Sequence, residues 1–394
     1  MKRVRFKDIE QIPYLKVNKN FKQQFQGSSP APFIGRYNYP NVNIGFLSPQ
    51  FSGDTSYYDS PQLWSKSNFK IGTIAEMRYG LVNSRTKGNV YKLNQNRILE
   101  VCQEVGMAKK AVELEVSLNK PPQLSLKPEK EIMPFGPSSQ VNKARITSNP
   151  QVDSRVERVV YDTDLKAAPA IISLYKKGFE ESFLNKLLSV GNTGLKRNRK
   201  LVPTRWSITA VDDTVGKELI KEVKNYQPGD YQVHFGGGWG NYYLILFFPE
   251  VWSYELFEMY LGYKINPWSK ENNFYSTDYE NYKGRKSYAE ECAGGYYANR
   301  LSILEKMKRN KRQQSSLVLR FITPEYNVPL GVWVCREATR KSLNEKPLTF
   351  ASEELMFKYA KELVKRKLGF DINELLIKSK LLKEKSQQKK LSEF

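Results

Sequence analysis

Histidine occurs once in this chain of 394 residues, as His234, and cysteine three times, as Cys102, Cys292 and Cys335. A tetrahedral zinc site needs four soft ligands, usually in close pairs, and no such pair is present. Three widely spaced cysteines also lay down no disulfide framework. A histidine-based triad has one candidate base and no Gly-x-Ser-x-Gly elbow. Any metal would have to be a hard cation held by carboxylates. Long apolar runs are missing too: the longest, 242–249 (YYLILFFP), falls far short of the roughly 20 residues that span a bilayer. The first ten residues, MKRVRFKDIE, are basic but carry no apolar core of a secretion signal. A soluble, cytoplasmic protein with no membrane partner is expected.

What the chain has in excess is positive charge. It carries 63 Lys and Arg against 41 Asp and Glu, a net +22. Charge on that scale repels itself unless a polyanion is near, and nucleic acid is the usual one. A solvated, lysine-rich surface accounts for the same number without a partner. Hydrophobic residues make up 40% and aromatics 13%, which supports a packed core and excludes wholesale disorder.

Along the chain, residues 1–70 read as short strands and tight turns, with Phe33, Ile34, Val42 and Ile44 available for burial. Helical spacing is read over 71–87 and 94–110, the latter from Ile98, Val101, Cys102 and Val105. Alternation over 111–118 predicts a strand, broken by Pro121-Pro122. Asp162, Thr163 and Asp164 offer caps to two helices over 162–190, parted at Gly178 and stopped at Gly191. Residues 206–211 look β-like. Further strands are expected at 231–235, 242–248, 315–323 and 331–334, and helices at 253–263, 287–309 and 352–367. The lysine-heavy stretch from Lys378 onward is expected to be mobile. Helices and strands without a regular βαβ rhythm predict a mixed, irregular α+β fold.

Two segments concentrate information. The chain closes on Gln388-Lys-Lys-Leu391-Ser-Glu-Phe394. Spacings of three put Leu391 and Phe394 on one face of a 3₁₀ turn, suited to an apolar pocket, while Gln388 fills a polar one. This resembles the PCNA-interacting peptide that tethers proteins to the sliding clamp, with one aromatic where two are common. The second segment is 189–213, where four of the five residues 196–200 are basic and Arg205 and Trp206 follow. With Arg36, the side chains of Lys196, Arg197, Arg199, Lys200 and Arg205 are candidate phosphate contacts. Trp206 could stack on a base, but taken alone it reads as a core residue beneath a basic loop. Asp212 and Asp213 are read first as helix caps, with Mg²⁺ ligation as the alternative. Gly236-Gly-Gly-Trp-Gly240 lacks the Gly-Lys-Ser/Thr of a phosphate loop and reads as a hairpin connection. His234 reads as structural, and the basic run 306–312 as a helix end or a DNA-facing patch.

Several ordered stretches carry a family resemblance. Phe33-Ile-Gly-Arg-Tyr-Asn-Tyr-Pro-Asn-Val-Asn-Ile-Gly45, Met133-Pro-Phe-Gly-Pro137, Leu201-Val-Pro-Thr-Arg-Trp-Ser-Ile-Thr-Ala-Val-Asp-Asp-Thr214 and Pro329-Leu-Gly-Val-Trp-Val-Cys-Arg-Glu337 resemble the archaeal Nre family of DNA-repair proteins. The resemblance implies a role in DNA-damage repair. It also implies an extension 1–30, an N-terminal region 31–228, a C-terminal region 229–377 and a basic tail 378–394 with the clamp-binding peptide. Family members often carry a Cys-rich, zinc-finger-like N-terminal segment; here no cysteine precedes Cys102, so no zinc is expected. The leading reading is a nucleoid-associated repair factor that binds DNA and is recruited by the clamp. The alternative is a metal-dependent enzyme on DNA or a nucleotide, with Asp162, Asp164, Asp212 and Asp213 on Mg²⁺ and Arg205 or Arg285 on phosphate. An RNA-binding protein would explain the charge but not the tail.

Overall fold

The computed structural model describes residues 20–123, 133–261 and 275–387. They divide into two compact units, one within Gln11–Val215 joined by Val328–Gly331, the other within Gly216–Asn327 and Val332–Phe394. Each unit is built on a mixed six-stranded sheet with helices, so the fold is α+β.

The first unit orders its sheet β1-β5-β6-β4-β3-β2. The strands are β1 Gln24–Ser29, β2 Ala31–Ile34, β3 Asn41–Ser48, β4 Val82–Asn89, β5 Val112–Leu118 and β6 Ser138–Ile146. Only β4 with β6 is parallel. In β5 the period of two is plain: Val112, Leu114, Val116 and Leu118 are buried, while Glu113 and Glu115 face water. The helices are α1 Pro61–Lys66, α2 Ile71–Tyr79, α3 Arg97–Met107, α4 Ser154–Tyr161, α5 Ala167–Lys176 and α6 Glu181–Ser189. The α3 face of Leu99, Val101, Cys102 and Val105 joins Val42, Ile44 and Phe46 in one core. Asn96 caps that helix by accepting from the Leu99 amide at 2.9 Å. The expected helix over 71–87 ends at Tyr79; the chain turns at Gly80 and becomes β4.

A long helix, α7 Thr204–Val223, carries the chain into the second unit. This corrects the β-like reading of 206–211. Pro203 sets the first turn, its carbonyl accepting from the amides of Trp206 and Ser207 at 2.8 and 3.0 Å. Asp212 and Asp213 therefore lie in the middle of a helix and cap nothing.

The second sheet runs β10-β9-β11-β8-β7-β12. Its strands are β7 Tyr231–Gly238, β8 Asn241–Phe248, β9 Ser253–Tyr260, β10 Tyr275–Glu280, β11 Ser315–Ile322 and β12 Leu348–Phe350. The β7–β8 loop is Trp239-Gly240, both at positive φ (53° and 67°), as a two-residue hairpin turn demands. The helix expected over 253–263 is instead β9. Its residues alternate between two buried faces, Glu255 on one and Glu258 on the other, and pairing with β10 and β11 decides in favour of the strand. The strand expected at 331–334 is also overturned, since α9 (Trp333–Asn344) begins there, after α8 (Ala293–Asn310).

One sheet face is apolar. Leu244, Leu246, Phe257, Leu319 and Phe321 pack with α10 (Glu353–Leu368), α11 (Asn373–Lys378) and α12 (Lys380–Gln387). The stretch 378–387, expected to be mobile, is instead largely helical and packs on this face. Leu381 is buried, and Glu255 of β9 accepts from the amides of Lys380 and Leu381 at 3.0 Å each. Burial is possible there because a carboxylate at the N-terminus of α12 meets otherwise unsatisfied donors.

His234 on β7 is 1% exposed, edge-on to Phe247 with ring centroids 5.7 Å apart. Burial, reinforced by the charge of Lys306, lowers its pKa from 6.5 to about 4. The unfolded ring protonates near 6.5, whereas the folded ring stays neutral down to about pH 4. Its contribution is therefore complete above pH 6.5 and is lost as pH falls through that window, amounting to about 3 kcal/mol. Urea midpoints of wild type and His234→Phe between pH 7 and pH 4 should show a steeper acid loss in the wild type. Parallel curves would contradict it.

Candidate nucleic-acid interface

The turn between β2 and β3 sets out Arg36, Tyr37 and Tyr39. It closes through Asn38 at φ 62°, whose carbonyl accepts from the Asn41 amide at 2.8 Å. Thr204, first residue of α7, fixes the neighbouring chain: its Oγ1 accepts from the Ile34 amide at 3.0 Å and lies 3.2 Å from Ser189 Oγ. The first turn of α7 thereby places Arg205 and Trp206 beside the β2–β3 turn.

Three exposed rings, Tyr39, Tyr91 and Trp206, form a group, and Tyr37 stands beside Arg36 on the same turn as Tyr39. Tyr39 packs against Trp206 with centroids 5.2 Å apart and against Tyr91 at 6.3 Å. The Tyr39 and Tyr91 hydroxyls are 3.1 Å apart, a bond that pushes the Tyr39 phenol up from its ordinary pKa. Lys200 Nζ lies 5.9 Å from the Tyr91 centroid, and the Arg36 guanidinium 4.9 Å from that of Tyr37. Tyr37, Tyr39, Tyr91 and Trp206 are between 39% and 60% exposed. Trp206 is thus not the core residue its sequence context suggests.

Beside these rings is a cavity of about 90 Å³. Arg36, Arg85 and Arg205 line it, with Asn43 and Asn83, and among the described residues no carboxylate contributes to its wall. Phe33 and Phe135 close one side, their centroids 4.7 Å apart. Asn83 is 1% exposed, and among the described residues its Oδ1 has no hydrogen-bond partner. At about 30 Å³ per water the space equals roughly three waters, enough for a phosphate group. Arg85 reaches the wall because Gly45 faces it in the β3–β4 register. A Cβ on Gly45 would run into the Ser84 carbonyl and lie 3.0 Å from Arg85 Cα.

The sequence-predicted cations separate into different roles. Arg36 and Arg205 share the cavity, and Lys200 joins the aromatic group. Lys196 and Arg197 sit exposed on a 3₁₀ turn, Lys196–Asn198. Arg199 is internal to the loop, donating to the carbonyls of Gly194 at 2.7 Å and Asp162 at 2.9 Å. Arg285 is likewise structural, paired with Asp278 at 2.9 Å. In the basic run 306–312, Lys308 pairs with Glu222 at 2.7 Å near the end of α8. Asp212 is fully buried and Asp213 partly exposed, as expected for adjacent helical positions about 100° apart. Asp162 accepts from the amides of Asp164 and Leu165, closing a loop before α5. No cluster of three or more His, Cys, Asp or Glu suited to a metal occurs among the described residues. Gln388, Leu391 and Phe394 lie outside the described residues.

Sequence reasoning missed Arg85, Tyr37, Tyr39 and Tyr91. Reading 71–87 as a helix hid Arg85, because only the strand register sets it opposite Gly45. The tyrosines gave no local signal, since their grouping depends on three segments distant in sequence. Replacing Arg199 by Ala should loosen the loop and cost about 1–2 kcal/mol, whereas Lys200→Ala should leave stability within about 0.5 kcal/mol. Thermal melts of the two variants test this division, and equal losses would refute it.

The comparisons with known proteins agree in direction. The chain matches the family described as archaeal Nre, N-terminal, over residues 6–268 and archaeal Nre, C-terminal, over 280–394. It is 36% identical over 386 residues to a DNA repair protein NreB of Archaeoglobus fulgidus, covering 97% of this chain and 95% of that protein. A DNA repair protein NreA of Haloferax volcanii is 35% identical over 323 residues, covering 80% of this chain and 77% of its own length. NreA of Archaeoglobus fulgidus is 34% identical over 348 residues, covering 87% and 86%. No solved structure matches. With both regions matched in order and relatives aligned along most of its length, the chain belongs to the archaeal Nre family.

Proposed function

We propose that this chain is a DNA-repair protein that binds DNA through the aromatic and cationic face of its N-terminal unit and is brought to the sliding clamp by residues 388–394. Its relatives, named as DNA repair proteins, support the repair role. The observation that carries the binding reading is the exposure of Tyr37, Tyr39, Tyr91 and Trp206, set among Arg36, Lys200 and Arg205. Rings left in water are costly, and a base stacked on one recovers about 1–3 kcal/mol. Bases stack this way only when unpaired, so the face suits single-stranded or distorted DNA. The arginine-lined cavity beside it suits a backbone phosphate, and exposed Lys196 and Arg197 add to the positive charge of the same unit.

Affinity for a single-stranded oligonucleotide should fall at least tenfold in Tyr91→Ala/Trp206→Ala, with the slope of log K against log salt unchanged. Arg36→Ala/Arg205→Ala should flatten that slope by about 1.4 units, at about 0.7 per phosphate contact on a single strand. If neither variant changes binding while both remain folded, this face is not the interface.

The clamp reading rests on the Gln388, Leu391, Phe394 spacing alone. Burying each apolar anchor is worth about 1.5–3 kcal/mol, so Leu391→Ala/Phe394→Ala should weaken clamp binding by about two orders of magnitude or more. Deleting 388–394 should abolish clamp binding and leave DNA affinity intact. Calorimetry with purified clamp decides it, and equal affinity for intact and truncated chains would refute the tail.

A further inference from the structure

A second cavity in the N-terminal unit, of about 370 Å³, belongs to neither binding surface proposed above. Its wall includes Lys186, Phe183, Phe179, Asp59 and Pro30. Lys186 and Phe183 stand on α6, one turn apart in approximate register, and Phe179 stacks on Phe183 with centroids 5.2 Å apart. The Lys186 amine has unusual company for a lysine. Nζ donates to the Pro30 carbonyl at 3.1 Å and lies 5.7 Å from the Phe183 centroid. Asp59, one of three acids in the wall with Asp153 and Glu180, is held by Arg78 through Oδ1 at 3.0 Å. A partly buried amine whose direct contacts are a neutral carbonyl and a ring gains less from being charged than one in an ion pair, although Asp59 and Glu180 still favour the charged form.

We propose that Lys186 is an amine nucleophile that condenses with the aldehyde of an abasic deoxyribose in DNA. The site suits this substrate in three respects. A lysine without its proton attacks carbonyl carbon, and withdrawal of the amine from water, here beside Phe183 and the Pro30 carbonyl, is one way to obtain it. Burial pushes the Lys186 ammonium down from its ordinary pKa, and Arg78 adds to the effect against Asp59 and Glu180. The volume admits a sugar with its adjoining phosphate, and exposed Lys109, Lys110 and Lys177 at the cavity wall supply counter-charge. Arg155 is not part of that supply, because both Asp153 oxygens hold it, at 2.9 and 2.7 Å. A missing base also leaves nothing to be read by hydrogen bonds, consistent with the apolar Phe179–Phe183 wall.

The chemistry closes without a metal or an oxidant. The amine pair forms a C–N bond to C1′ of the ring-opened sugar, and the carbonyl oxygen takes a proton. Loss of that oxygen as water leaves an iminium. The iminium acidifies the C2′ proton; its removal breaks the C3′–O bond, and the 3′ phosphate departs. Water then hydrolyses the imine and returns the lysine. Asp59 is a carboxylate of the wall that can carry a proton in these steps, since burial raises its pKa against the charges of Arg78 and Lys186.

This inference rests on the DNA-binding reading, so its test has two arms. In the first, the intact protein is treated with deoxyribose 5-phosphate and cyanoborohydride, and the reduced adduct is mapped by peptide mass. Lys186 should be labelled at least tenfold faster than any exposed lysine; labelling confined to exposed lysines overturns the proposal without needing a folded variant. In the second, an oligonucleotide with one abasic site is trapped with borohydride, and its retention without reductant is measured alongside. Wild type should give a covalent complex that Lys186→Arg and Lys186→Ala lose by at least tenfold. Retention of the oligonucleotide with no Lys186 adduct overturns the inference and leaves DNA binding standing. A sugar-phosphate adduct at Lys186 without retention overturns DNA as its substrate and the binding reading together.

Discussion

Glu258 and Arg320 sit opposite each other on neighbouring parallel strands, 2.6 Å apart, with almost no access to water. Arg300 reaches from α8 to Glu280 of β10 at 2.9 Å, equally buried. Taking either partner from water alone would cost several kcal/mol, so each side chain depends on the other being placed first. This requirement fixes the β9–β11 register, because a one-residue slip would put the two charges on opposite faces of the sheet and leave each unpaired. It also explains Gly295 in α8, where a Cβ would lie 2.7 Å from Glu258 Oε1. One face of the C-terminal sheet is therefore held by matched charges and the other by apolar contact with α10, α11 and α12. Glu255 extends the same rule to the apolar side, where amide donors of α12 take the place of a cation.

The N-terminal unit follows the rule at Arg78 with Asp59. Elsewhere in it, partly exposed Arg36, Arg85 and Arg205 gather around a small cavity, and Lys186 at the larger cavity donates to the Pro30 carbonyl beside the Phe183 ring. Cations gathered around open space favour an incoming ligand that carries negative charge. The excess of +22 is thus not spread evenly in its meaning. Much of it is solvated lysine, some is structural, as in Arg199 and Arg285, and a few groups are positioned toward enclosed space.

Periodicity made several elements legible. Alternation exposed β5, the apolar stripe exposed α3, and four glycines around Trp239 exposed the β7–β8 turn. It failed where both faces of an element are buried. In β9 successive residues meet different layers and both faces are buried, with Glu255 and Glu258 among the buried residues, so the sequence carries no polar alternation that distinguishes strand from helix. The start of α7 failed for another reason: Trp-Ser-Ile-Thr-Ala-Val is rich in β-formers, and Pro203 with tertiary packing overrides that preference. The site was half legible. Charge and aromatic type marked Arg36, Lys200, Arg205 and Trp206, but the company they keep depends on β4 register and on a tyrosine from a distant loop. Distinguishing Arg199 from its basic neighbours needed its carbonyl partners, which no spacing encodes.

On the proposed reading, charge and stacking contribute to binding in different ways. Phosphate contacts release counterions, so their share of the affinity falls steeply as salt rises. Stacking on Tyr91 and Trp206 involves no counterion and keeps its value of about 1–3 kcal/mol per base. A face holding both would retain unpaired DNA at ionic strengths where binding by lysines alone has largely dissociated. It would thereby discriminate against intact duplex, whose bases are unavailable for stacking although its phosphates are denser. The tail adds a third contribution of another kind. A micromolar contact to a clamp already threaded on DNA raises the local concentration of that DNA toward the millimolar range for a short linker. Binding at the aromatic face then need not be tight in isolation, and modest contacts with fast exchange would let the protein sample many nucleotides near one clamp.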